Sequence, residues 1–425
     1  TLMARHNLAY WRGEAGDVVA AAAATEELLA DQVRVQGPDH PATLTTRHNL
    51  ASLRGQAGDT AGAATATEEL LADQVRVQGP DHPATLMARH NLAYWRGEAG
   101  DVVAAAAATE ELLADRVRVQ GPDHPATLTT RHNLASLRGE AGDAAGAATE
   151  FEKLLADRVR VLGPDHPATL TTRHNLARWR GRAGDAAGAV TGFEVLLADR
   201  VRVLGPDHPA TLTTRHNLAR WRGQAGDAAG AATTFKELLA DRVRVQGPNH
   251  PATLTTRHNL ARWRGRAGDA AGAVTGFEVL LADRVRVLGP DHPDTLTTRR
   301  NLAYWRGEAG DVVGAAAATE ELLADRVRVL GPDHPDTLTT RRNLAYWRGE
   351  AGDVVGAAAA TEELLADQVR VQGPDHPATL TTRHNLARWR GQAGDAAGAA
   401  TAFEELLADQ VRVQGPDHPD TLTTR

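Results

Sequence analysis

In the middle of this chain, basic and amide side chains recur at a spacing that sets them side by side on a helix. His174, Arg178 and Arg182 follow one another at intervals of four; His216 with Arg220, then His258, Arg262 and Arg266, repeat the pattern. Residues four apart share one helical face. Asn175, Asn217 and Asn259 stand beside them. A row of guanidinium groups recognises carboxylates or phosphates, each planar fork offering paired N–H donors to one anion. The charge balance points to the same chemistry. Residues 1–168 carry a net −8 and residues 295–425 a net −5, whereas residues 169–294 carry +6 within a total of −7. A basic middle between acidic flanks makes an acidic peptide the natural guest. It would also let an acidic end of one molecule meet the basic middle of another. Nucleic acid fits less well, because the excess is local and the chain as a whole is acidic.

Other chemistries find little material. There is no Cys, and the only Ser are Ser52 and Ser136, so disulfides and thiolate metal sites are excluded and nucleophiles are scarce. The 18 His fall into ten within DHP or NHP turns, such as His40, and eight within RHN segments, such as His174. No H-x3-H or HExxH spacing occurs, so no metal is expected, and the turn histidines are expected to shape the loop between repeats. The glycines of RGEAGD follow no strand and make no phosphate loop, so no cofactor is expected either. An active site would have to be assembled from repeated Arg, His, Asp and Thr, and a non-enzymatic protein is expected. No apolar run of 18 residues is present to span a bilayer. There is no Asn-x-Ser/Thr acceptor, while the Thr-rich TLTT segments leave O-linked modification open.

The elements that must position the basic stripe come from a strict repeat. The 425 residues are ten periods of 42 plus five, starting at residues 1, 43, 85, 127, 169, 211, 253, 295, 337 and 379, with a partial repeat at 421–425. No insertion or deletion interrupts them, and one continuous array over residues 1–425 is expected. Residues 169–210 illustrate the period. The first helix follows Pro167, places Thr172, Leu176, Trp179 and Ala183 on one stripe, and stops between Gly181 and Gly184. Asp185 stands at an N-cap position, and Ala189, Phe193, Leu196 and Val203 form the stripe of a longer second helix, widened by Val190 and Leu197. Gly205 is expected to close that helix in a left-handed conformation, Pro206 to stop it, and Pro209 to open the next first helix.

This 42-residue helix pair resembles the tetratricopeptide repeat, in the long variant with a GPDHP loop found in kinesin light chains and bacterial relatives. The shorter pattern is W-x2-L-G-x2-Y followed by A-x3-F. Leu176 takes the Leu position and Ala189 with Phe193 gives A-x3-F, whereas Arg173, Ala177 and Arg180 stand where Trp, Gly and Tyr are usual. Five repeats also replace the Phe with Thr, as at Thr25 and Thr319. The resemblance implies an all-α fold, a right-handed α-solenoid of ten helix-turn-helix repeats and a partial eleventh. It also implies that the first helices line a concave groove for extended peptides. His174, Asn175, Arg178, Arg182, His216, Asn217, Arg220, His258, Asn259, Arg262 and Arg266 thereby become candidate groove contacts.

Near-identical repeats, such as 1–42 and 85–126, which differ only at Gln32 against Arg116, point to recent duplication. Columns that vary are therefore the informative ones. The stripe varies, His174 giving way to Arg300 and Arg342, Arg178 to Tyr10, Ser52 and Tyr304, and Arg182 to Glu14, Gln56 and Glu350. A second column holds Trp in eight repeats, Trp179 among them, and Leu53 and Leu137 in the other two; Leu as the sole substitute marks a packed seam rather than a stacking surface. No polar capping element is read at either end, so residues 1–425 are expected to be either a window cut from a longer array or a unit that joins end to end into an open fibre. Two functions are therefore expected: a scaffold that binds a protein or acidic peptide in an Arg-rich groove, or alternatively a structural fibre. The first implies the cytoplasm, the second the exterior of the cell. The Arg-over-Lys bias suggests a GC-rich bacterial genome.

Overall fold

The protein is described here by a computed structural model covering residues 2–416 and 418–424. Thr1, Asp417 and Arg425, and with them the two extremities of the expected array, lie outside the described residues, as do the side chains of His6 and Glu14. Among the described residues the regular structure is all helical. Two compact units are present, Thr1–Thr214 and Arg215–Arg425. The first unit holds α1 (Leu2–Glu14), α2 (Val18–Gln36), α3 (Pro41–Gln56), α4 (Thr60–Gln78), α5 (Pro83–Glu98), α6 (Val102–Gln120), α7 (Pro125–Glu140), α8 (Ala144–Leu162), α9 (Pro167–Arg182), α10 (Ala186–Leu204) and the opening of α11 (Pro209–Gln224). The second holds the rest of α11, then α12 (Ala228–Gln246), α13 (Pro251–Arg266), α14 (Ala270–Leu288), α15 (Pro293–Glu308) and α16 (Val312–Leu330). It continues with α17 (Pro335–Glu350), α18 (Val354–Gln372), α19 (Pro377–Gln392), α20 (Ala396–Gln414) and the short α21 (Pro419–Thr424).

Short polar signals set these bounds. Asp185 caps α10 by accepting the Gly188 N–H at 2.7 Å, satisfying one of the donors a helix leaves unpaired at its start. His166 does the same for α9: its Nδ1 accepts the Ala168 N–H at 3.1 Å, and Pro167 follows with its backbone already set for a helix. The turn histidines are thus helix caps. Gly205 ends α10 with φ 89° and ψ 162°. That is not the left-handed helical conformation expected but an extended one at positive φ, a region open essentially to glycine alone. Thr169 then donates its hydroxyl to the Gly163 carbonyl at 2.9 Å, tying the start of α9 to the end of α8.

Burial follows the expected stripes with two differences. In α10, Ala189, Phe193 and Leu196 are fully buried, but the stripe continues at Arg200, while Val203 is 37% exposed. Spacing of four, three and four keeps Arg200 on the inward face, and the next inward turn is the helix end. Ala183 is exposed, because it stands past the last turn of α9 as its cap. Arg116, one repeat pair earlier, shows how a buried guanidinium is held. Its Nη1 donates to the Ala126 carbonyl and the Thr130 hydroxyl, both at 2.7 Å, and its Nη2 to the Leu86 carbonyl at 3.2 Å. One side chain of α6 thereby ties α5 to α7 through neutral acceptors.

The Trp column joins repeat to repeat. In the first unit, the ring of Trp179 on α9 lies against Gly139 on α7, so close that a methyl group at Gly139 would come 2.6 Å from the indole. Gly139 is therefore required inside a helix, where glycine otherwise costs about 1 kcal/mol. Trp179 is fully buried in a cluster with Leu128, Phe151, Leu154 and Leu176. The second unit repeats the arrangement with Trp305 against Gly265, in a cluster with Leu254, Phe277 and Leu280. Where Leu137 replaces Trp, the contact on Gly97 relaxes to 3.3 Å. Replacing Trp179 with Ala should cost about 3–5 kcal/mol in chemical denaturation. Gly139→Ala should also destabilise strongly and Gly97→Ala much less; equal losses at the two glycines would contradict this seat.

Candidate functional site

The stripe read from the sequence divides in two. Its histidines turn inward. In the first unit the ring of His174 meets Phe193 edge to face at 5.2 Å, with its Nδ1 buried and without a hydrogen-bond partner. His216 on Phe235 and His258 on Phe277 repeat this in the second unit. Burial, with the charge of the Arg beneath, lowers all three to a pKa of about 4, as it does His90 and His132. The asparagines bridge repeats: Asn175 Nδ2 lies 3.1 Å from His132 Nε2. Asn259 bonds back to the Thr255 carbonyl at 3.1 Å, and Asn217 is partly buried on α11.

The arginines turn outward and gather over tryptophan. In the first unit Arg178 and Arg182 both lie over the Trp179 ring, 5.0 and 4.9 Å from its centre. In the second unit Arg220 lies over Trp221 at 5.6 Å, and Arg262 and Arg266 over Trp263 at 5.7 and 5.2 Å. A guanidinium on an indole face is held in place while its N–H edge stays available. Burial and the like charges of Arg266, Arg220 and Arg300 together lower the pKa of Arg262 from the usual arginine range. No carboxylate contributes to that balance. The contrast within the same unit is Arg388, which stands over Trp389 at 4.6 Å but bonds Glu350 at 2.6 Å.

Two charge changes were not singled out from the sequence as site residues. Arg300 joins the cluster from α15; its signal is the replacement of His by Arg in that column. The other is Lys236. Elsewhere an Arg of one repeat meets a Glu of the repeat before, as Arg306 meets Glu278 at 2.9 Å and Arg348 meets Glu320 at 2.8 Å. Lys236 occupies the Glu position for Arg264, which instead pairs with Asp269 of its own repeat at 2.7 Å. Asn249 likewise leaves Arg286 a single bond of 2.7 Å where Arg328 forms a two-point ion pair with Asp291. Both changes remove negative charge from the second unit's first repeats.

Among the described residues no three His, Asp or Glu converge as for a metal, and no helix is long and apolar enough to cross a membrane. The model of the tetratricopeptide repeat family matches residues 43–84, 127–168, 169–210, 211–252, 253–294, 295–336 and 379–420. The chain belongs to the tetratricopeptide repeat family. Such repeats generally mediate protein–protein interaction and are generally non-catalytic. A kinesin light chain-type protein of Podosopora anserina, built of nearly identical repeats, is 28% identical, with 49% of this chain and 98% of that one covered and a TM-score of 0.44. BtubC of P. vanneervenii is 22% identical over 55% of this chain and 94% of its own, at 0.47. The tetratricopeptide sensor-bearing signal transduction ATPase of Pyrococcus horikoshii is 8% identical over 82% of this chain and 52% of its own, at 0.51. None of the curated proteins matches in sequence.

The histidines set a pH dependence. A group whose pKa is depressed on folding contributes its stability above its unfolded value, near 6.5, and loses it as pH falls toward the folded value, about 4. The melting temperature should therefore fall as pH drops from 6.5 to 4, and His132→Gln, His174→Gln and His216→Gln together should flatten that slope. Lys236→Glu should return Arg264 to an inter-repeat pair and add up to about 1 kcal/mol at low salt; a loss of stability in urea titration would contradict the pairing described.

Proposed function

We propose that this repeat array is a non-enzymatic scaffold for protein–protein interaction whose arginine face binds an acidic peptide. The observation that carries the proposal is the surrounding of Arg262: Arg220, Arg266 and Arg300 repel it, and no carboxylate answers them. A chain of Asp or Glu side chains laid along α11, α13 and α15 in the second unit relieves that repulsion and meets N–H edges already held by Trp221 and Trp263. In the first unit Arg178 and Arg182 gather over Trp179. Residues 1–425 are read as one continuous array carrying both groups of arginines, with no nucleic acid, membrane or cofactor as its ligand.

A second reading, self-association into a fibre, draws on the basic residues 169–294 between acidic flanks, which let an acidic flank of one molecule meet the basic middle of another.

Titration of a fluorescent peptide of alternating Glu and Ala should give saturable binding that weakens steeply with salt. Arg220→Glu, Arg262→Glu and Arg266→Glu together should abolish it at low salt while Arg388→Glu leaves it intact. Equal affinity before and after the triple change would end the proposal. Sedimentation that grows with concentration at low salt, and is lost at high salt, would favour the fibre.

A further inference from the structure

The first unit contains a cleft that the packing of the other repeats fills. At most junctions the indole of one repeat covers the glycine of the repeat before, as Trp179 covers Gly139 and Trp95 covers Gly55. Between α5 and α7 that position is Leu137, and the position beneath, which is Phe151 in the next repeat, is Thr109. Two losses of ring volume thus fall together, and a cleft of about 390 Å³ opens there, lined among others by Gly97, Thr109 and Leu137 below and by Tyr94, Glu98 and Glu140 above. Ser136 stands where the neighbouring repeats carry Arg178 or Tyr94, so no long side chain crosses the mouth. The same cleft, of about 420 Å³, recurs between α1 and α3, over Gly13, Thr25 and Leu53.

We propose that the cleft at Leu137 binds an organic cation, a guanidinium or ammonium group on a short aliphatic stem. The floor is apolar and suits the stem. Above it the ionic groups of the lining are the carboxylates of Glu98 and Glu140, which form no ion pair among the described residues; the lining histidine, His90, is uncharged at neutral pH, because burial and the Arg116 guanidinium hold its pKa at about 4. That guanidinium is itself bound to Thr130, Ala126 and Leu86. Tyr94 offers a ring face, 49% exposed, on which a cation is stabilised, and the Ser136 hydroxyl and the Asn133 amide offer further polar contacts. In the cleft between α1 and α3, Gln56 takes the place of Glu140, so that copy is the weaker one. Residues 43–84 and 127–168 differ at seven positions, of which only Gln56 against Glu140 lies in the clefts. This cationic site is independent of the anionic reading of the second unit.

The chain supplies its own control, since other repeats show what closes the cleft. Calorimetric titration of the full chain would use the capped tripeptide Ala-Arg-Ala, with Ala-citrulline-Ala as the neutral isostere and agmatine as the free guanidine. The arginine peptide should bind saturably at low salt and the citrulline peptide at least tenfold more weakly. Leu137→Trp with Ser136→Arg, the pair present at Trp179 and Arg178, should abolish binding at the stronger site and leave the melting temperature equal or higher. Glu98→Gln with Glu140→Gln should weaken binding at least tenfold with the fold unchanged by circular dichroism. Agmatine binding as tightly as the peptide would name a small amine as the ligand; a tighter peptide would name a basic side chain of a partner. Absence of saturable binding, equal binding of citrulline, or full binding by the Leu137→Trp, Ser136→Arg variant overturns the proposal.

Discussion

The seat of a tryptophan on a helical glycine of the preceding repeat is the constraint on which the rest of each unit depends. An indole needs a flat, open patch of backbone, and only a residue without a side chain provides it inside a helix; the proximity of Trp179 to Gly139 leaves no room for a methyl group. The seat fixes how far one first helix stands from the next. From that spacing follow the reach of Asn175 to His132, the reach of Arg306 to Glu278, and the row in which the outward arginines stand. The buried arginines add a second tie of a different kind. Arg116 and Arg158 each hold three helices through carbonyls and a hydroxyl, and a guanidinium is long and forked enough to do so with its Nε left unpaired; Gln32 and Gln74, in the same position, are buried too and keep an oxygen unpaired.

Because the frame repeats, function resides in what differs. At Trp179, Trp221, Trp263 and Trp389 the outer edge carries arginine stacked on the indole, and in the second unit three further charges, Arg220, Arg266 and Arg300, surround Arg262 without an answering carboxylate. Where the seat holds leucine, the outer positions are Ser136, Glu98 and Glu140, and the freed volume remains open. Substitutions in a few columns, Leu137 for Trp, Thr109 for Phe, Ser136 and Glu140 for Arg, thus convert a packed, basic face into an acidic cleft. Positive charge on a filled surface and negative charge around a cavity are what a peptide scaffold needs to discriminate among partners by sign.

The period, the helix pairs, the Asp caps and the packed Trp seam were legible in the sequence, because each rests on local signals: Asp185 and Pro167 at helix starts, glycine and proline at ends, and Leu as the alternative to Trp; the caps at His166 and its copies were read only as shaping the loop. Arg200 was not legible, since a charged residue on an apolar stripe is read as its boundary, and only the Ala210 carbonyl and the Thr214 hydroxyl, both accepting from its Nη1, reveal how it is held there. The same holds for the site. Spacing placed His174, Arg178 and Arg182 on one helical face, but a helix is round: the histidine sits one turn nearer the Phe193 ring and is drawn inward by it. The cleft at Leu137 required two facts from helices distant in sequence, Thr109 on one and Leu137 on another, and no single segment announces it.

The account turns on the tryptophan seat as the tie between repeats, and hydrogen exchange resolved along the first unit tests it directly. Amides in the last turns of α3 and α7 lie under Trp95 and Trp179, whereas those in the last turn of α5 lie under Leu137 and the open cleft. The account predicts that the end of α5 exchanges markedly faster than the ends of α3 and α7 under conditions where the fold is intact. Equal protection at the three helix ends would show that the repeats are held together by something other than this contact.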